Sequence, residues 1–186
     1  MTKKIISLGL DLSLTGTGLV ILEDGKITKR HLIKSKPVGD LPISELIRIQ
    51  KIVEEIKTNI EGKKIDIAVI EGLAFMARNA TALVQLSALN YMTRGLLAGM
   101  KLPFVIIAPT SLKKFATGSG GSKKDVMLIE VFKRWGVTIL NDNENDAYCL
   151  AKVGEHLLKG GKEKLPIFQQ EVLELLKKQL KKNEKD

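Results

Sequence analysis

The sequence has little of the chemistry that stabilises small secreted or zinc-binding domains. It contains a single cysteine, Cys149, so no internal disulfide can form. With one cysteine and only two histidines, His31 and His156, no zinc-binding pattern is possible either. This cysteine usage favours a reducing compartment.

Long apolar runs and internal repeats are also absent. The apolar run near the N-terminus meets Asp11 almost at once, which makes it too short for a signal peptide or a membrane span. With 186 residues, 44% of them apolar and 27% charged, the chain can build one core of single-domain size. We therefore expect a soluble, intracellular, single-core protein rather than a disordered or multidomain one.

Acidic residues are outnumbered by basic ones. Thirty Lys and Arg face 21 Asp and Glu, which gives a formal net charge of +9. Residues 101–135 alone carry seven basic and two acidic residues, and they surround a glycine-rich loop at 118–121. A solvated helix face would explain scattered lysines. The clustering and the overall surplus instead indicate a polyanionic partner, with nucleic acid as the first candidate.

Hydrophobic patterning predicts an α/β protein with a five-stranded mixed sheet. The predicted strands span residues 4–10, 16–22, 26–33, 65–70 and 104–107. An Asp24-Gly25 turn closes the second strand, so the first three should be antiparallel. A helix separates the fourth strand from these three, so it should lie parallel to the first. The expected sheet thus has three antiparallel strands followed by two parallel strands.

Helices are expected on both sides of this sheet. Apolar residues recur at spacings of three and four between Leu46 and Ile60, which predicts an amphipathic helix that Gly62 ends. Further helices are predicted over residues 80–99, 110–116, 123–135, 144–158 and 167–181.

Three acidic residues fall at the ends of these elements. Asp11 ends the first strand and Glu71 ends the fourth, so parallel pairing would place both carboxylates at the edge where open α/β sheets form their sites. Asp146 begins a helix and shares a face with Leu150 and Val153, which directs its carboxylate toward the core side.

Each of these acids has an ordinary structural alternative. Asp11 could be a turn residue, Glu71 a strand-end charge and Asp146 a first-turn acid stabilised by the helix dipole. Three carboxylates converging on one edge would nevertheless repel one another unless a cation neutralised them. Such oxygen ligands select Mg²⁺ or Mn²⁺, and two of these ions can promote phosphodiester hydrolysis. A basic protein with this site would be a nuclease.

Four segments of the sequence resemble, in order, the RuvC-like Holliday junction resolvases of the ribonuclease H-like superfamily. They are residues 9–18 with Asp11, 71–80 with Glu71, 109–126 with the basic loop, and 143–147 with Asp146. Together they cover residues 5–158. The resemblance implies a ribonuclease H-like nuclease domain over residues 1–160 and a C-terminal helical extension over residues 161–186.

The resemblance implies four catalytic, metal-binding residues, namely Asp11, Glu71, Asn143 and Asp146, with two Mg²⁺ or Mn²⁺ ions per active site. Asn143 takes the position three residues before Asp146, which is usually acidic in the family. Its amide oxygen can coordinate a metal without adding charge. Asp142 or Glu144 is the alternative fourth ligand if the loop register differs.

The resemblance also implies six DNA-binding residues, namely Phe75, Arg78, Lys113, Lys114, Lys123 and Lys124. Phe75 matches an aromatic that enters the centre of the junction, where stacking contributes roughly 1–3 kcal/mol per base; a core position is the alternative. The lysines match positions that contact the phosphate backbone.

The helix over residues 80–99 matches the dimer helix of the family. Its small residues would let two copies approach closely, or would pack closely on the sheet. A C2 dimer suits paired nicks across a four-way junction. The last helix is open to three roles: capping the core, extending the dimer or reaching DNA. The short chain and Asn143 resemble bacteriophage-encoded members of the family.

The expected function is that of a homodimeric, Mg²⁺-dependent crossover junction endodeoxyribonuclease of DNA recombination and repair. We expect it in the bacterial cytoplasm or a phage-infected host, acting on branched DNA and especially four-way junctions, with no membrane partner. Three alternatives stay open: a broader debranching nuclease, a ribonuclease H-type enzyme on RNA–DNA hybrid, and a catalytically impaired junction-binding protein. A phosphotransferase is disfavoured, because 186 residues cannot supply the two domains that close over a nucleotide.

Overall fold

A computed structural model describes residues 4–37, 39, 41–73, 80–160 and 164–183. The strands formed within these ranges are β1 (Ile6–Asp11), β2 (Gly16–Glu23), β3 (Lys26–Lys34), β4 (Ile67–Glu71) and β5 (Phe104–Ile107). The helices are α1 (Pro42–Ile60), α2 (Ala80–Gly99), α3 (Pro109–Thr117), α4 (Lys124–Trp135), α5 (Asp142–Lys159) and α6 (Ile167–Asn183). Each predicted strand and helix is therefore confirmed.

The strands form one mixed sheet in the order β3-β2-β1-β4-β5. Strands β1, β2 and β3 pair antiparallel, whereas β4 pairs parallel with both β1 and β5. The β2–β3 turn places Asp24 and Gly25 at φ 47° and 81°, the left-handed conformation that a tight hairpin turn requires. The predicted arrangement of three antiparallel and two parallel strands is confirmed.

Side-chain alternation along the strands divides the core into two layers. In β1, Leu8 and Leu10 pack with α1 and α2 on one face of the sheet. On the other face, the Ser7 hydroxyl donates to the carbonyl of Ala151 in α5 at 2.8 Å. Because Asp11 follows Ser7 at an even spacing, its side chain emerges on the face that α5 covers.

Helix α6 caps the core and the open edge of the sheet. Val172, Leu173 and Leu176 belong to the core cluster formed with α5. The Gln179 side chain accepts a hydrogen bond from the Ile106 amide at 2.6 Å and donates to the Ile106 carbonyl at 3.3 Å. These bonds occupy the backbone of an edge strand that would otherwise be free to pair with another chain.

Element boundaries differ from the predicted ones by a few residues. Helix α1 begins at Pro42 rather than near residue 44, because proline is well suited to the first helical turn. Strand β4 begins at Ile67 rather than residue 65, and Asp66 uses its carboxylate to accept a bond from the Ile6 amide at 2.9 Å. Within the described part of the chain, no helix combines the length and apolarity needed to cross a membrane.

Candidate active site

Two carboxyl groups meet at the carboxyl ends of neighbouring parallel strands. The register pairs Leu10 of β1 with Ile70 of β4, so that Asp11 and Glu71 are the next residues along each strand. Asp11 is only 7% exposed, and its carboxyl group hydrogen bonds to that of Glu71. The shared edge predicted from the sequence is therefore where the structure places both side chains.

Close packing of α5 on the sheet brings the third carboxylate to the same place. A Cβ atom at Gly9 would collide with the carbonyl oxygen of Ala147, and one at Gly18 would collide with the carbonyl oxygen of Asn143. Only glycine at these positions lets the helix backbone approach β1 and β2 so closely. The start of α5 consequently lies over the end of β1, and Asp146 interacts electrostatically with Asp11 and Glu71.

Burial raises the pKa values of all three acids, and repulsion within the cluster raises those of Asp11 and Glu71 further. Desolvation raises the pKa of Asp11 well above its usual range, and the charges of Glu71 and Asp146 raise it further. Desolvation and Asp146 raise the pKa of Glu71 to about 7. Desolvation raises the pKa of Asp146 to about 6. The site therefore holds protons at neutral pH when no cation replaces them.

The donor chemistry at this edge suits a hard divalent cation. The three carboxylates offer oxygen ligands, and their repulsion would be relieved by a positive ion. Among the described residues, however, no group of three or more His, Cys, Asp or Glu side chains is gathered closely enough to hold a metal ion. The Asp11–Glu71 hydrogen bond shows how a proton can bridge the two carboxylates. A metal ion bound here would replace that proton.

Two lysines face the acidic cluster from α3 and α4. Lys113 and Lys124 both lower the pKa of Glu71 and of Asp146 through their positive charge. Lys124 also donates to Asp142 at 2.9 Å, a bond that raises the pKa of the lysine. The structure therefore brings these two predicted phosphate-binding lysines to the carboxylates, where a bound phosphate would meet both charges.

The three candidates for a fourth ligand are each engaged in another contact. The Asn143 amide donates to the Gly16 carbonyl at 2.6 Å, which ties α5 to the start of β2. Asp142 accepts from Lys124, and Glu144 pairs with Arg30 of β3 at 3.2 Å. Asn143 precedes Asp146 by three residues and thus shares its helix face. The ligand role of Asn143 stays a prediction.

The other predicted DNA-binding residues differ in their placement. Lys123 is exposed and immediately precedes α4, beside Lys124. Lys114 turns away from the carboxylates and pairs with Glu171 of α6 at 2.7 Å. Phe75 and Arg78 lie outside the described residues.

Two buried polar side chains that support the site were not predicted from the sequence. Arg48 of α1 is 9% exposed and donates to the Leu14 carbonyl at 2.6 Å, in the loop that follows Asp11. Asn90 of α2 is 1% exposed and donates to the backbone carbonyl of Glu71 at 3.3 Å. The sequence feature that could have identified Arg48 is its position, because it lies four residues before Ile52, on the buried face of its helix.

Sheet order, strand directions and the helix over β1 together define the ribonuclease H-like fold. Thermus thermophilus RuvC has this fold with a TM-score of 0.69 and 16% identity, over 84% of this chain and 97% of that one. T. thermophilus RuvC in complex with Holliday junction substrate gives a TM-score of 0.69 at 14% identity, over 84% and 96% of the two chains.

A eukaryotic structure shares the architecture as well. The yeast mitochondrial Holliday junction resolvase Ydc2 has a TM-score of 0.58 at 13% identity, over 95% of this chain and 83% of that one. No protein-family model and no curated protein sequence matches the chain. The structural likeness confirms the predicted ribonuclease H-like fold.

Proposed function

We propose that this protein is a structure-selective DNA endonuclease that resolves four-way junctions by paired nicks. The observation that carries the proposal is the cluster of Asp11, Glu71 and Asp146 at the carboxyl ends of β1 and β4, faced by Lys113 and Lys124. The same fold occurs in T. thermophilus RuvC, whose structure has been solved with a Holliday junction substrate. A formal net charge of +9 supports a polyanionic substrate.

Asp11, Glu71 and Asp146 are the residues that would hold Mg²⁺ or Mn²⁺, with Asn143 as a candidate fourth ligand. When bound, such ions supply a water nucleophile at neutral pH and stabilise charge on the reacting phosphate. The chain itself contributes buried carboxylate oxygens held in place by the sheet and α5. Lys113 and Lys124 hold the phosphate backbone against this cluster.

A homodimer is part of the proposal because two symmetric nicks require two sites. One side of α2 presents small and apolar residues to the surface. Val84 and Tyr91 are 66% and 65% exposed, and a Cβ at Gly95 or Gly99 would have nothing within 4 Å. This side lets a second α2 approach closely. Sedimentation of the metal-free protein tests whether it is a dimer. A monomer at the protein concentrations that support cleavage would contradict the proposed homodimer.

The cleavage test compares wild type and Asp146→Asn on a synthetic mobile four-way junction, with Mg²⁺ or with EDTA. Glu174→Gln is the matched control, because it removes one acidic charge from an exposed position on α6. We expect symmetric, metal-dependent nicks from wild type and the control, and none from Asp146→Asn. Asp146→Asn should still bind the junction, since the change removes negative charge beside phosphates.

Matched duplex, Y-shaped and RNA–DNA hybrid substrates define the specificity. Nicks confined to the four-way junction support a resolvase, whereas cuts on every branched substrate identify a broader debranching nuclease. Preferential cleavage of the hybrid would replace the proposal with a ribonuclease H-type activity. If wild type binds the junction tightly but does not cleave it in Mg²⁺ or Mn²⁺, the protein is a junction-binding protein rather than a nuclease. A cytoplasmic or phage-infected setting is the expected location for such a DNA enzyme.

A further inference from the structure

The edge strand β3 carries a second basic surface. Residues 26–36, which form β3 and the two residues after it, contain five basic residues and no acidic one. Within the described part of the chain, β3 pairs only with β2, so its outer edge is open. Lysines along an open edge oppose pairing with a further strand. The charge of this edge therefore favours a polyanionic partner over another polypeptide strand.

Strand register places the end of β3 beside the carboxylate cluster. Asp11 pairs with Gly18 of β2, and Gly18 pairs with Leu32 of β3. Residues paired in this way point to the same face of a sheet, so Lys34, two residues beyond Leu32, lies on the face that α5 covers, as Asp11 does. Two strand spacings and two residues along the strand put the Cα atoms of Asp11 and Lys34 roughly 12 Å apart. Because β3 runs in the same direction as β1, Lys34 lies at the sheet edge that holds the carboxylates.

The segment after β3 is tied to the loop between β1 and β2. The Ser35 hydroxyl donates to the Leu14 carbonyl at 2.5 Å, and Arg48 of α1 donates to the Ser35 hydroxyl at 2.9 Å. Lys34 and Lys36 flank this anchored serine, and both are exposed. Their backbone is consequently held in a fixed position relative to the active-site edge.

Both lysines are available to a ligand. Arg30 of the same strand pairs with Glu144 of α5 at 3.2 Å, so its charge is already compensated. By contrast, neither Lys34 nor Lys36 forms an ion pair or a side-chain hydrogen bond with any residue that the structure describes. An anion bound by these two lysines would therefore displace no such ion pair.

The carboxylates lie between this surface and the basic residues of α3 and α4. Sheet order places β3 at one edge and β5 at the other, and β5 leads directly into α3, which carries Lys113. The charges of Lys113 and Lys124 act on Glu71 and Asp146. Positive charge is thus present on two sides of the cluster, as a polyanion that passes across it would require.

We propose that the DNA strand bound at the carboxylate cluster continues over the end of β3, with its backbone phosphates against Lys34 and Lys36. The inference rests on the proposed function, because it extends the path of the same DNA substrate. DNA advances about 3.4 Å along its axis per nucleotide, so the roughly 12 Å between Asp11 and Lys34 corresponds to about three or four nucleotides. These phosphates lie on the side of the cluster away from Lys124.

The first experiment measures binding of a labelled four-way junction by the metal-free protein at several salt concentrations. Lys34→Gln/Lys36→Gln removes both charges. We expect the slope of log affinity against log salt to fall by about 1.8, the value for two lost phosphate contacts, and binding at about 0.1 M salt to weaken at least tenfold. The control Lys63→Gln/Lys64→Gln removes two exposed charges just before β4, at the opposite end of the sheet, and should leave the slope unchanged.

Hydroxyl-radical footprinting of the same complexes locates the contact on the DNA. Wild type should protect two groups of nucleotides on one strand. We expect Lys124→Ala to lose one group and Lys34→Gln/Lys36→Gln to lose the other. Loss of the same group in both variants would contradict a path with phosphate contacts on two sides of the cluster.

An unchanged salt slope in the double variant overturns the inference. So does a double variant that binds DNA normally but self-associates more than wild type, because the lysines would then serve only to prevent strand pairing at the β3 edge. Thermal melts accompany each variant. If the double variant fails to fold, Lys36→Gln alone, which lies outside β3, repeats the test with an expected slope change of about 0.9.

Cleavage in Mg²⁺ is measured separately, so that the two proposals can fail independently. If the double variant lowers the salt slope but wild type cuts no junction, the nuclease proposal fails and the DNA path is supported. If wild type makes symmetric nicks but the double variant leaves the slope unchanged, the DNA path fails and the nuclease proposal is supported.

Discussion

The raised pKa of Glu71 predicts how the free energy of unfolding depends on pH. Desolvation and Asp146 raise this pKa from 4.5 to about 7 in the folded protein. Between these two values the folded state binds more protons than the unfolded state, so the free energy of unfolding falls as pH rises. The shift is worth about 3 kcal/mol at 1.36 kcal/mol per pKa unit, and most of it, about 2–3 kcal/mol, is lost between pH 5 and pH 8.

The assay is urea unfolding in EDTA at pH 5 and pH 8, followed by the fluorescence of Trp135. Glu71→Gln removes the titrating group but keeps an oxygen that can accept the hydrogen bond from Asp11. Wild type should lose about 2–3 kcal/mol of its free energy of unfolding between pH 5 and pH 8, and Glu71→Gln should not. The difference between the two proteins should therefore shift in favour of the variant by that amount. Taking the difference between the two proteins cancels the pH dependence of stability that they have in common.

Glu174→Gln serves as the control in this comparison. Lys177 lowers the pKa of Glu174, so its titration lies below pH 4.5 and should not alter stability between pH 5 and pH 8. A wild-type to Glu71→Gln difference that stays constant over this range would refute the reasoning, because it would mean that Glu71 is solvated and ionised at both pH values. Adding Mg²⁺ at pH 8 should stabilise wild type more than Glu71→Gln.

Three further predictions concern residues around the cluster. Lys124→Ala should weaken junction binding and lower the salt-dependence slope by about 0.9, the value for one lost phosphate contact, as measured by binding at several salt concentrations; an unchanged slope would place the DNA elsewhere. Asn143→Asp should destabilise the metal-free protein by about 1–3 kcal/mol in urea unfolding, because a carboxylate cannot donate to the Gly16 carbonyl, and should alter the Mg²⁺ to Mn²⁺ preference of cleavage if residue 143 is a ligand. Gly9→Ala should lower the free energy of unfolding by at least the upper part of the ~1–3 kcal/mol range for overpacking, because its Cβ would collide with Ala147 of α5. A variant that melts like wild type would show that α5 can move away freely.

Element types and sheet order were predictable because the apolar periodicity is strong in this chain. Strand β1 alternates between two buried faces, and α1 repeats its apolar residues every three or four positions. The position of Asp11 and Glu71 followed from the same reasoning, since parallel strands end at one edge. That argument needs only strand direction, which the intervening helix determines.

Contacts made by individual polar side chains could not be predicted in this way. Lys113 and Lys114 are adjacent in a basic helix, yet one faces the carboxylates and the other pairs with Glu171. Adjacent helical residues point in different directions, and which of these two lysines faces the carboxylates depends on how α3 packs against α5 and α6. The role of α6 was equally undetermined, because its apolar face specifies burial but not the partner that covers it.

The acidic cluster explains why the surrounding lysines matter to the protein before any DNA is bound. Three carboxylates held together by β1, β4 and α5 destabilise the fold at neutral pH unless they bind protons or cations. Lys113 and Lys124 reduce this repulsion without entering the cluster. A phosphate that bound these lysines would withdraw part of their stabilising charge, and the carboxylates would then bind a divalent cation more strongly. Substrate and metal should therefore bind cooperatively, each compensating the charge that the other brings.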